Sequence, residues 1–333
     1  NIGDEYFDAN PHLNFRDRDV VAVGPVVTKT GELFDEFWNA ALSRPIDDVA
    51  DNVLDAAADP DFEAFERAAS MLAALHGALP QRPDAMERLR DSFARMQRAR
   101  TTLVHDRPPA PDAVAQTAQP QASSSALTAI AATVRNELLI ESAYLVPDDA
   151  TLAGMATLDG LGIQVRALTN SLASNDVIPN HAAYARRRER LLASGVELHE
   201  LRPDAASCHD LVMNPAACVP PHVFALHAKT YVLDRRTVYV GSLNLNMRSR
   251  YLNAESGLVI ESPVLAGSIA DAIEQNMRPE NSWRVERDAH GGLVWRSDAS
   301  APGGARADKE PATKWGRRVR SGFFALWPME KYL

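Results

Sequence analysis

A histidine, a lysine and several small polar residues follow one another at regular spacing between positions 227 and 244. The run reads His227-Ala228-Lys229, then Asp234, then Gly241-Ser242-Leu243-Asn244. On a strand, side chains at i and i+2 share a face, so His227 and Lys229 are expected to project into one pocket. An imidazole that titrates near neutrality can attack a substrate or transfer a proton, and an ammonium can hold an anionic oxygen. The pair therefore predicts chemistry at an anionic centre.

The residues around this pair have expected roles of their own. Gly241 would let the backbone approach a ligand, and Ser242 and Asn244 would offer neutral donors at the end of the next strand. Asp234 completes the spacing, but strict alternation puts it on the opposite face or in a turn, where it would fix a hairpin. The carboxylate of Glu255 is expected to accept a bond from the imidazole and set its tautomer. Taken singly, each is more often a structural residue, and only the joint spacing is informative.

Alternating strand-like and helix-like segments must position these residues. The predicted strands are 138–143, 164–168, 196–201, 223–233, 237–240 and 254–260. The predicted helices are 125–136, 148–159, 181–194 and 263–277. Such alternation indicates an α/β layer with a mainly parallel sheet, and the runs 223–233 and 237–240 indicate a hairpin.

The first third of the chain has a less regular pattern. A buried strand is predicted at 19–27 and a helix at 29–42, followed by amphipathic helices at about 61–79 and 84–104. From 107 to 125 the composition changes to Pro, Ala, Gln and Ser, which is typical of a linker or an exposed loop.

Composition and charge exclude several classes of protein. The 333 residues are 46% hydrophobic and 24% charged, which excludes a disordered, collagen-like or coiled-coil chain. No apolar run approaches the roughly 18 to 20 residues that span a bilayer. The net charge is −9, and the excess acid lies before residue 113, which argues against a general nucleic-acid binder.

A weak internal repeat relates the two ends of the chain. Asp17 is followed by apolar residues at +3 and +4 and by Pro25 at +8, and Glu255 is followed by apolar residues at +3 and +4 and by Pro263 at +8. A helix is predicted after each proline. Units of this kind also arise by coincidence, so the repeat alone establishes no duplication.

Two further segments leave alternatives open. Cys208 and Cys218 lie in an irregular stretch that is consistent with a variable loop, a disulfide or, least favoured, a metal site. The arginine-rich run 186–190 reads as a solvated helix face or as a contact for lipid headgroups. The basic, aromatic segment 314–327 is typical of a membrane interface or of a terminal helix docked on its own domain.

The pattern H-x-K-x4-D-x6-G-S-x-N resembles the signature of the phospholipase D superfamily. The resemblance to the bacterial cardiolipin synthase C type runs the length of the chain. It rests on Asn1-Ile2-Gly3-Asp4-Glu5-Tyr6-Phe7, Ser142-Ala143-Tyr144-Leu145-Val146-Pro147, Leu168-Thr169-Asn170-Ser171-Leu172-Ala173, Asp176-Val177, His181-Ala182-Ala183-Tyr184-Ala185-Arg186, Gly195-Val196-Glu197-Leu198 and Glu310-Pro311-Ala312-Thr313.

This resemblance implies an α/β/α sandwich of two pseudo-symmetric lobes, each with one copy of the motif. Asn1 would be the closing asparagine of the first copy, so the first His-Lys pair is expected upstream and the first lobe is expected to be incomplete. Residues 1–106 would be the rest of that lobe with a helical insert, 107–125 a linker, and 126–333 the second lobe. Asp17 would serve the absent histidine as Glu255 serves His227, with Asp19 as the competing candidate.

The chemistry implied is phosphatidyl transfer through a phosphohistidine, without a metal or other cofactor. The resemblance implies that His227 acts as acid and base, that Lys229, Asn244 and Asn1 hold the phosphate oxygens, and that Ser242 supports them. Phosphatidylglycerol and a second phospholipid such as phosphatidylethanolamine would give cardiolipin at a membrane surface, with a helper protein as a further partner. The expected location is peripheral, on the bacterial inner membrane or through a lipoprotein anchor. A hydrolytic phospholipase, a nuclease and a catalytically silent membrane-binding protein are the alternatives.

Overall fold

The computed structural model describes residues 3–8, 10, 12–45, 48, 85–109, 119–212, 215–219, 222–297, 306–327, 330 and 332. The helix predicted at 61–79 lies outside these residues, and so does Asn1.

Twelve strands are present in the part of the chain that the structure describes. They are β1 (Leu13–Arg16), β2 (Arg100–His105), β3 (Glu137–Ser142), β4 (Gln164–Asn170), β5 (Glu197–Leu201), β6 (Val223–Leu226), β7 (Lys229–Leu233), β8 (Thr237–Gly241), β9 (Ser256–Glu261), β10 (Ser282–Arg287), β11 (Leu293–Arg296) and β12 (Arg306–Ala307). Ten of them form one sheet in the order β12-β11-β10-β5-β4-β3-β7-β8-β9-β2, and β1 pairs with β6 in parallel.

Eight α-helices and three short 3-10 helices accompany these strands within the described ranges. The α-helices are α1 (Pro25–Trp38), α2 (Ala85–Ala94), α3 (Ala122–Ala131), α4 (Asp149–Gly160), α5 (Ile178–Ala193), α6 (Met247–Tyr251), α7 (Pro263–Met277) and α8 (Trp315–Phe324). The 3-10 helices are Asp4–Tyr6, Ala206–Asp210 and Pro215–Cys218. None of the described helices combines the length and the apolar character that crossing a bilayer requires.

Apolar residues fill both faces of the large sheet, which makes a three-layer α/β/α arrangement. Side chains alternate along β3, so Leu138 and Ile140 join one buried cluster and Leu139 joins the other. The first cluster includes residues of α3, α4 and α5, and the second includes residues of α7. Lys229 alternates in step with Tyr231, so it emerges on the face that α3, α4 and α5 cover.

The sheet is less parallel than the sequence pattern indicates. Within the described sheet, only the pairs β3-β4 and β4-β5 are parallel, and the other neighbours are antiparallel. The predicted hairpin is present as β7 and β8, whose residues pair from Thr230↔Val240 to Leu233↔Thr237. The prediction of a mainly parallel sheet is wrong because it took the pattern of β3, β4 and β5 to hold for the whole sheet.

The other differences from the predicted elements lie in the first third of the chain and after residue 280. Residues 17–23 form no regular element although they are rich in Val, and Pro25 begins α1. The helix predicted over 84–104 ends at Ala94, and β2 follows. The sequence pattern also missed β10 and β11.

Two compact units divide the chain. The larger consists of Asn1–Val26, Gln97–Asp106 and Ala115–Leu333, and the smaller of Val27–Met96 and Arg107–Val114. The sequence analysis assigned β2 to the first lobe, but all six of its residues pair with β9 at the edge of the large sheet. The larger unit therefore includes strands from both sides of the predicted boundary at 106.

A buried ionic network ties α5 to the C-terminal part of the chain. The Arg188 guanidinium donates to Glu200, 2.8 Å away, and to Glu310, 2.9 Å away. Glu200 also accepts from Tyr184, at 2.7 Å, and from the indole of Trp295, at 2.8 Å. Buried charges persist only when they are paired, and this pairing fixes three separate segments to one another.

Candidate active site

His227 lies between two strands rather than within one, because β6 ends at Leu226 and β7 begins at Lys229. Its backbone is nevertheless held on both sides. The His227 amide donates to the Arg16 carbonyl of β1 at 2.7 Å. The Asn170 side chain donates to the carbonyl of Leu226 at 2.7 Å and accepts from its amide at 2.8 Å. The histidine is therefore fixed by a backbone contact to β1 and, through Leu226, by the Asn170 side chain at the end of β4.

Asp17 is the carboxylate that holds the His227 ring. Its Oδ2 lies 2.8 Å from Nδ1 of His227, with 15% and 18% of the two side chains exposed. Burial alone would raise the pKa of Asp17, but the hydrogen bond from His227 and the positive charges of the site lower it below its ordinary value. When Nδ1 donates to this carboxylate, Nε2 carries the lone pair and can exchange a proton with a ligand.

Two aromatic rings fix the plane of the imidazole. Phe15 stacks on His227 with ring centroids 4.9 Å apart, and Tyr6 packs edge-on at 5.3 Å. The Tyr6 hydroxyl lies 3.4 Å from Nε2. Burial and the charge of Asp17 raise the pKa of Tyr6, so its phenol is protonated at neutral pH and can act as a donor beside Nε2.

Lys229 is a buried cation next to the imidazole. Its Nζ lies 2.9 Å from each ring nitrogen of His227 and donates to the His227 carbonyl, and 7% of the residue is exposed. Burial lowers the pKa of Lys229 to about 8, although three carboxylates act in the opposite direction. They belong to Asp17, Glu255 and Asp176. The Lys229 ammonium therefore lies where it would contact an anionic group bound at Nε2 of His227.

Asn244 is oriented by the end of β3. Its Oδ1 accepts from the backbone amide of Tyr144 at 3.3 Å and from Ser142 Oγ at 3.5 Å. Ser142 is also the residue opposite Lys229 in the β3-β7 register. With Oδ1 engaged in this way, the Nδ2 group of Asn244 is the end of the side chain that can donate to a ligand.

Glu255 does not contact His227, contrary to the sequence expectation. Its carboxylate accepts from Ser242 Oγ and from Asn253 Nδ2, the latter at 3.0 Å. Its backbone is held by Asp106, whose carboxylate accepts from the Glu255 amide at 2.9 Å. The sequence analysis assigned Glu255 to His227 and Asp17 to the histidine of the other copy. The structure places Asp17 at His227 instead, so the assignment of Glu255 to this imidazole was wrong.

Asp234 and Gly241 serve the β7-β8 hairpin. Asp234 lies in the turn, and its carboxylate accepts from the backbone amides of residues 135, 136 and 137 at 2.7 to 3.0 Å. A Cβ on Gly241 would lie 2.4 Å from the Ser256 carbonyl and from the Tyr239 hydroxyl. Gly241 is therefore needed for close packing against β9, which corrects the expectation of a close approach to ligand. The spacing of the motif includes Asp234 with the catalytic candidates, but the structure places it in the turn, away from the imidazole, which is one of the two positions that strict alternation allowed.

Tyr6, Phe15 and the pair Tyr144 and Asp176 are parts of the site that motif reasoning gave no role. The Tyr144 hydroxyl donates to Asp176 Oδ2 at 2.8 Å, and burial with that contact raises the pKa of Tyr144. Tyr6, Tyr144 and Asp176 fall in segments that resemble the family, and this was the only available signal. Phe15 had none.

Cys208 and Cys218 are joined by a disulfide with Cα atoms 5.7 Å apart. Of the three alternatives open for these cysteines, the structure selects the disulfide rather than the favoured variable loop. Among the described residues, no group of three or more His, Cys, Asp or Glu side chains is arranged to hold a metal ion.

Comparison with known proteins supports the same family as the motif. A family model described as "Cardiolipin synthase, PLD-like domain" matches residues 127–278. The chain is 34% identical over 342 residues to cardiolipin synthase C of Escherichia coli (strain K12), which covers 99% of this chain and 68% of that protein. It is 25% identical over 308 residues to a Helicobacter pylori protein described as uncharacterized, covering 89% of this chain and 57% of that one.

Two solved structures match parts of this chain. Phosphatidylserine synthase of Haemophilus influenzae Rd KW20 matches with a TM-score of 0.39 and 15% identity over 55% of this chain and 39% of its own. Nuc from Salmonella typhimurium, a phospholipase D family member, matches with a TM-score of 0.35 and 16% identity over 53% of this chain and 93% of its own.

The site and the likeness along nearly the whole chain define a phospholipase D-like α/β protein, and the chain belongs to that superfamily. Within it, the chain belongs to the cardiolipin synthase C type. It is an enzyme of the class of phosphatidyltransferases and phosphodiesterases.

Proposed function

We propose that the protein containing this chain transfers a phosphatidyl group between phospholipid alcohols, with cardiolipin made from phosphatidylglycerol as the product. One observation carries the proposal: a buried lysine ammonium and a carboxylate-held imidazole occupy the same small volume. This pairs a cation for a phosphate oxygen with a group that exchanges protons at Nε2. The similarity to cardiolipin synthase C supports a phospholipid as the phosphodiester substrate.

In the first step a second histidine attacks phosphorus, and His227 is the acid. The family resemblance implies that this nucleophile belongs to the other copy of the motif. A nitrogen–phosphorus bond forms while the bond from phosphorus to the departing alcohol oxygen breaks. His227 starts as an imidazolium and gives its Nε2 proton to that oxygen, while Nδ1 stays hydrogen-bonded to Asp17. The negative charge of Asp17 stabilises the imidazolium before transfer.

In the second step the neutral Nε2 of His227 takes the proton of an incoming hydroxyl. The oxygen of that alcohol attacks phosphorus, and the nitrogen–phosphorus bond breaks. If the alcohol is the headgroup of phosphatidylglycerol, the product is cardiolipin. Water in the same place would give phosphatidate instead.

Lys229 and Asn244 hold the non-bridging phosphate oxygens in both steps. The ammonium neutralises charge as it develops, and the Asn244 amide donates a neutral hydrogen bond. Such donors act strongly in a site shielded from water, where removing one costs about 10²- to 10³-fold in rate. Asn1 is proposed to add a donor from the other motif, and Ser242 to support the site by orienting Glu255.

The crossed pairing of acids and histidines is part of the proposal. Asp17, which lies near the start of the chain, holds His227. The internal repeat makes Glu255 the counterpart of Asp17, so Glu255 is proposed to hold the histidine of the other motif.

The test is a transfer assay with the full-length protein and phosphatidylglycerol vesicles, with and without phosphatidylethanolamine, in EDTA. Cardiolipin should form, and His227→Ala should abolish it. Cleavage of bis-p-nitrophenyl phosphate or DNA without lipid transfer would replace the proposal with a hydrolase. The absence of any diester turnover would leave a catalytically silent membrane-binding protein.

A further inference from the structure

One face of helix α8 is fixed to the domain by polar contacts. Arg317 donates to the carbonyl of Leu172 at 2.7 Å and to that of Asn175. Arg318 donates to the carbonyl of Glu310 at 2.6 Å, and Ser321 is buried. These contacts settle which side of the helix faces the protein.

The opposite face of α8 carries large apolar side chains in water. Trp315, Val319 and Phe323 recur every four residues, and Leu326 and Trp327 continue the stripe beyond the helix. Their exposed fractions run from 48% for Val319 to 77% for Trp315 and Leu326. We call these five residues the apolar stripe.

The segment that carries the stripe has charges of one sign. Residues 314–327 contain Lys314 and three arginines but no acid. Two of the arginines, Arg317 and Arg318, are engaged with carbonyl groups of the domain. Lys314 and Arg320 are exposed beside the stripe. Cations flanking Trp and Phe match a surface of anionic phosphates over hydrocarbon, where indole rings settle at the headgroup level.

The loop that follows β4 lies between helix α8 and the active site. The carbonyls that Arg317 binds belong to residues 172 and 175, immediately before Asp176. Asp176 accepts from Tyr144, whose backbone amide orients Asn244. The negative charge of Asp176 also acts to raise the pKa of Lys229, against the larger effect of burial. The stripe is thus anchored on the loop that borders the phosphate-binding side chains.

We propose that α8 and its apolar stripe dock the protein on a bilayer containing anionic phospholipid and hold the active site at that surface. The choice of lipid as the occupant rests on the proposed function, since it brings a lipid diester to Lys229, and on the charge match of the exposed cations. The helix lies on the bilayer with the stripe in the boundary between headgroups and acyl chains. It does not cross the bilayer.

A fluorescent reporter on the stripe tests the docking itself. In the full-length protein, Phe323→Cys is labelled with a nitrobenzoxadiazole dye, and Val264→Cys, 65% exposed on α7, serves as the matched control. Vesicles with phosphatidylglycerol should shift the emission at 323 to the blue and protect the dye from dithionite. Neither effect is expected at 264. An unchanged signal at 323 while the protein sediments with vesicles would overturn the proposal.

A stripe variant separates docking from chemistry. Trp315→Ala/Phe323→Ala/Trp327→Ala should lower transfer in vesicles at least tenfold and leave turnover of the soluble bis-p-nitrophenyl phosphate unchanged. The control Leu161→Ala, whose side chain is 69% exposed, should change neither activity. If the reporter docks but no diester is turned over, the proposed function fails and the docking stands. If the triple variant melts earlier or changes oligomeric state while binding vesicles normally, a protein surface covers the stripe and the docking proposal is wrong.

Discussion

The hydrogen bond from His227 to Asp17 joins residues 210 positions apart and defines how the imidazole is used. The carboxylate occupies Nδ1, so the proton that moves is the one on Nε2. Phe15 and Tyr6 hold the ring in this orientation. Replacing the Asp17 carboxylate with a neutral group would therefore change the tautomer of His227 and destabilise its imidazolium form.

Asp17→Asn is expected to lower transfer by as much as about 10⁴-fold, because the amide stabilises the wrong tautomer and no longer balances the imidazolium. Steady-state kinetics over a range of pH would show the loss in kcat. Asp234→Asn is the matched control, since that carboxylate joins the β7-β8 turn to the backbone amides before and at the start of β3, away from the imidazole. It should cost about 1 kcal/mol of unfolding free energy and leave kcat within a few-fold. Equal loss of kcat in both variants would contradict the assignment.

Lys229 makes a prediction about pH. Because burial lowers its pKa to about 8, the ammonium loses its proton as the pH rises through that value. The protonated form holds the phosphate, so kcat/KM should fall as the pH rises through this pKa. In Lys229→Arg the guanidinium stays charged, and the fall centred on this pKa should be absent from the residual activity. A fall above pH 8 that persists in the arginine variant would assign the titration to another group.

The residue types and their spacing were enough to find His227 and Lys229, but not their acid partner. The internal repeat assigned each acid to the histidine of its own motif copy, whereas the structure pairs Asp17 with His227. The distinction depends on how β1 lies beside β6, which is a contact between distant segments. Sequence patterns carry no direct record of such a contact.

At the scale of elements, local signals predicted α7 with the bounds that the structure has, because Pro263 begins it and its apolar period is regular. They failed where pairing decides the conformation. The β-branched residues of β2 were read as the end of a helix, yet they pair with β9. The Val-rich segment 17–23 has strand-like composition, but Val21 and Val23 are exposed and unpaired with any described strand.

Helix α5 offers a matched test of buried against exposed charge. Arg188→Ala would leave Glu200 and Glu310 without their guanidinium partner in the interior, at an expected cost of about 3 to 5 kcal/mol. Arg190, on the same helix, pairs with the exposed Asp149, and Arg190→Ala should cost much less because water screens the pair. Chemical denaturation of both variants gives the comparison. Similar losses would show that the network contributes little to holding α5 and the C-terminal segment together.

At the scale of the whole molecule, the two buried clusters and the ten-stranded sheet form one frame for the catalytic side chains. Side chains at the end of β1, at the start of β7 and at the end of β3 lie close together, at one end of these strands. The chain matches 99% of its length to cardiolipin synthase C and spans 68% of that relative. The family was predictable because its motif is local, whereas the pairing of β2 with β9 was not, since it joins segments about 155 positions apart.

The central claim is that His227 exchanges protons at a phosphodiester that a second histidine attacks. The most direct measurement uses full-length His227→Ala with a phosphatidyl ester of p-nitrophenol, whose leaving group departs without an acid. The account predicts a burst of one p-nitrophenolate per enzyme, a stable phosphorylated protein and no further turnover. Release no faster than in buffer would make His227 the nucleophile, and turnover equal to that of the unaltered enzyme would place His227 outside the site; either result contradicts the account.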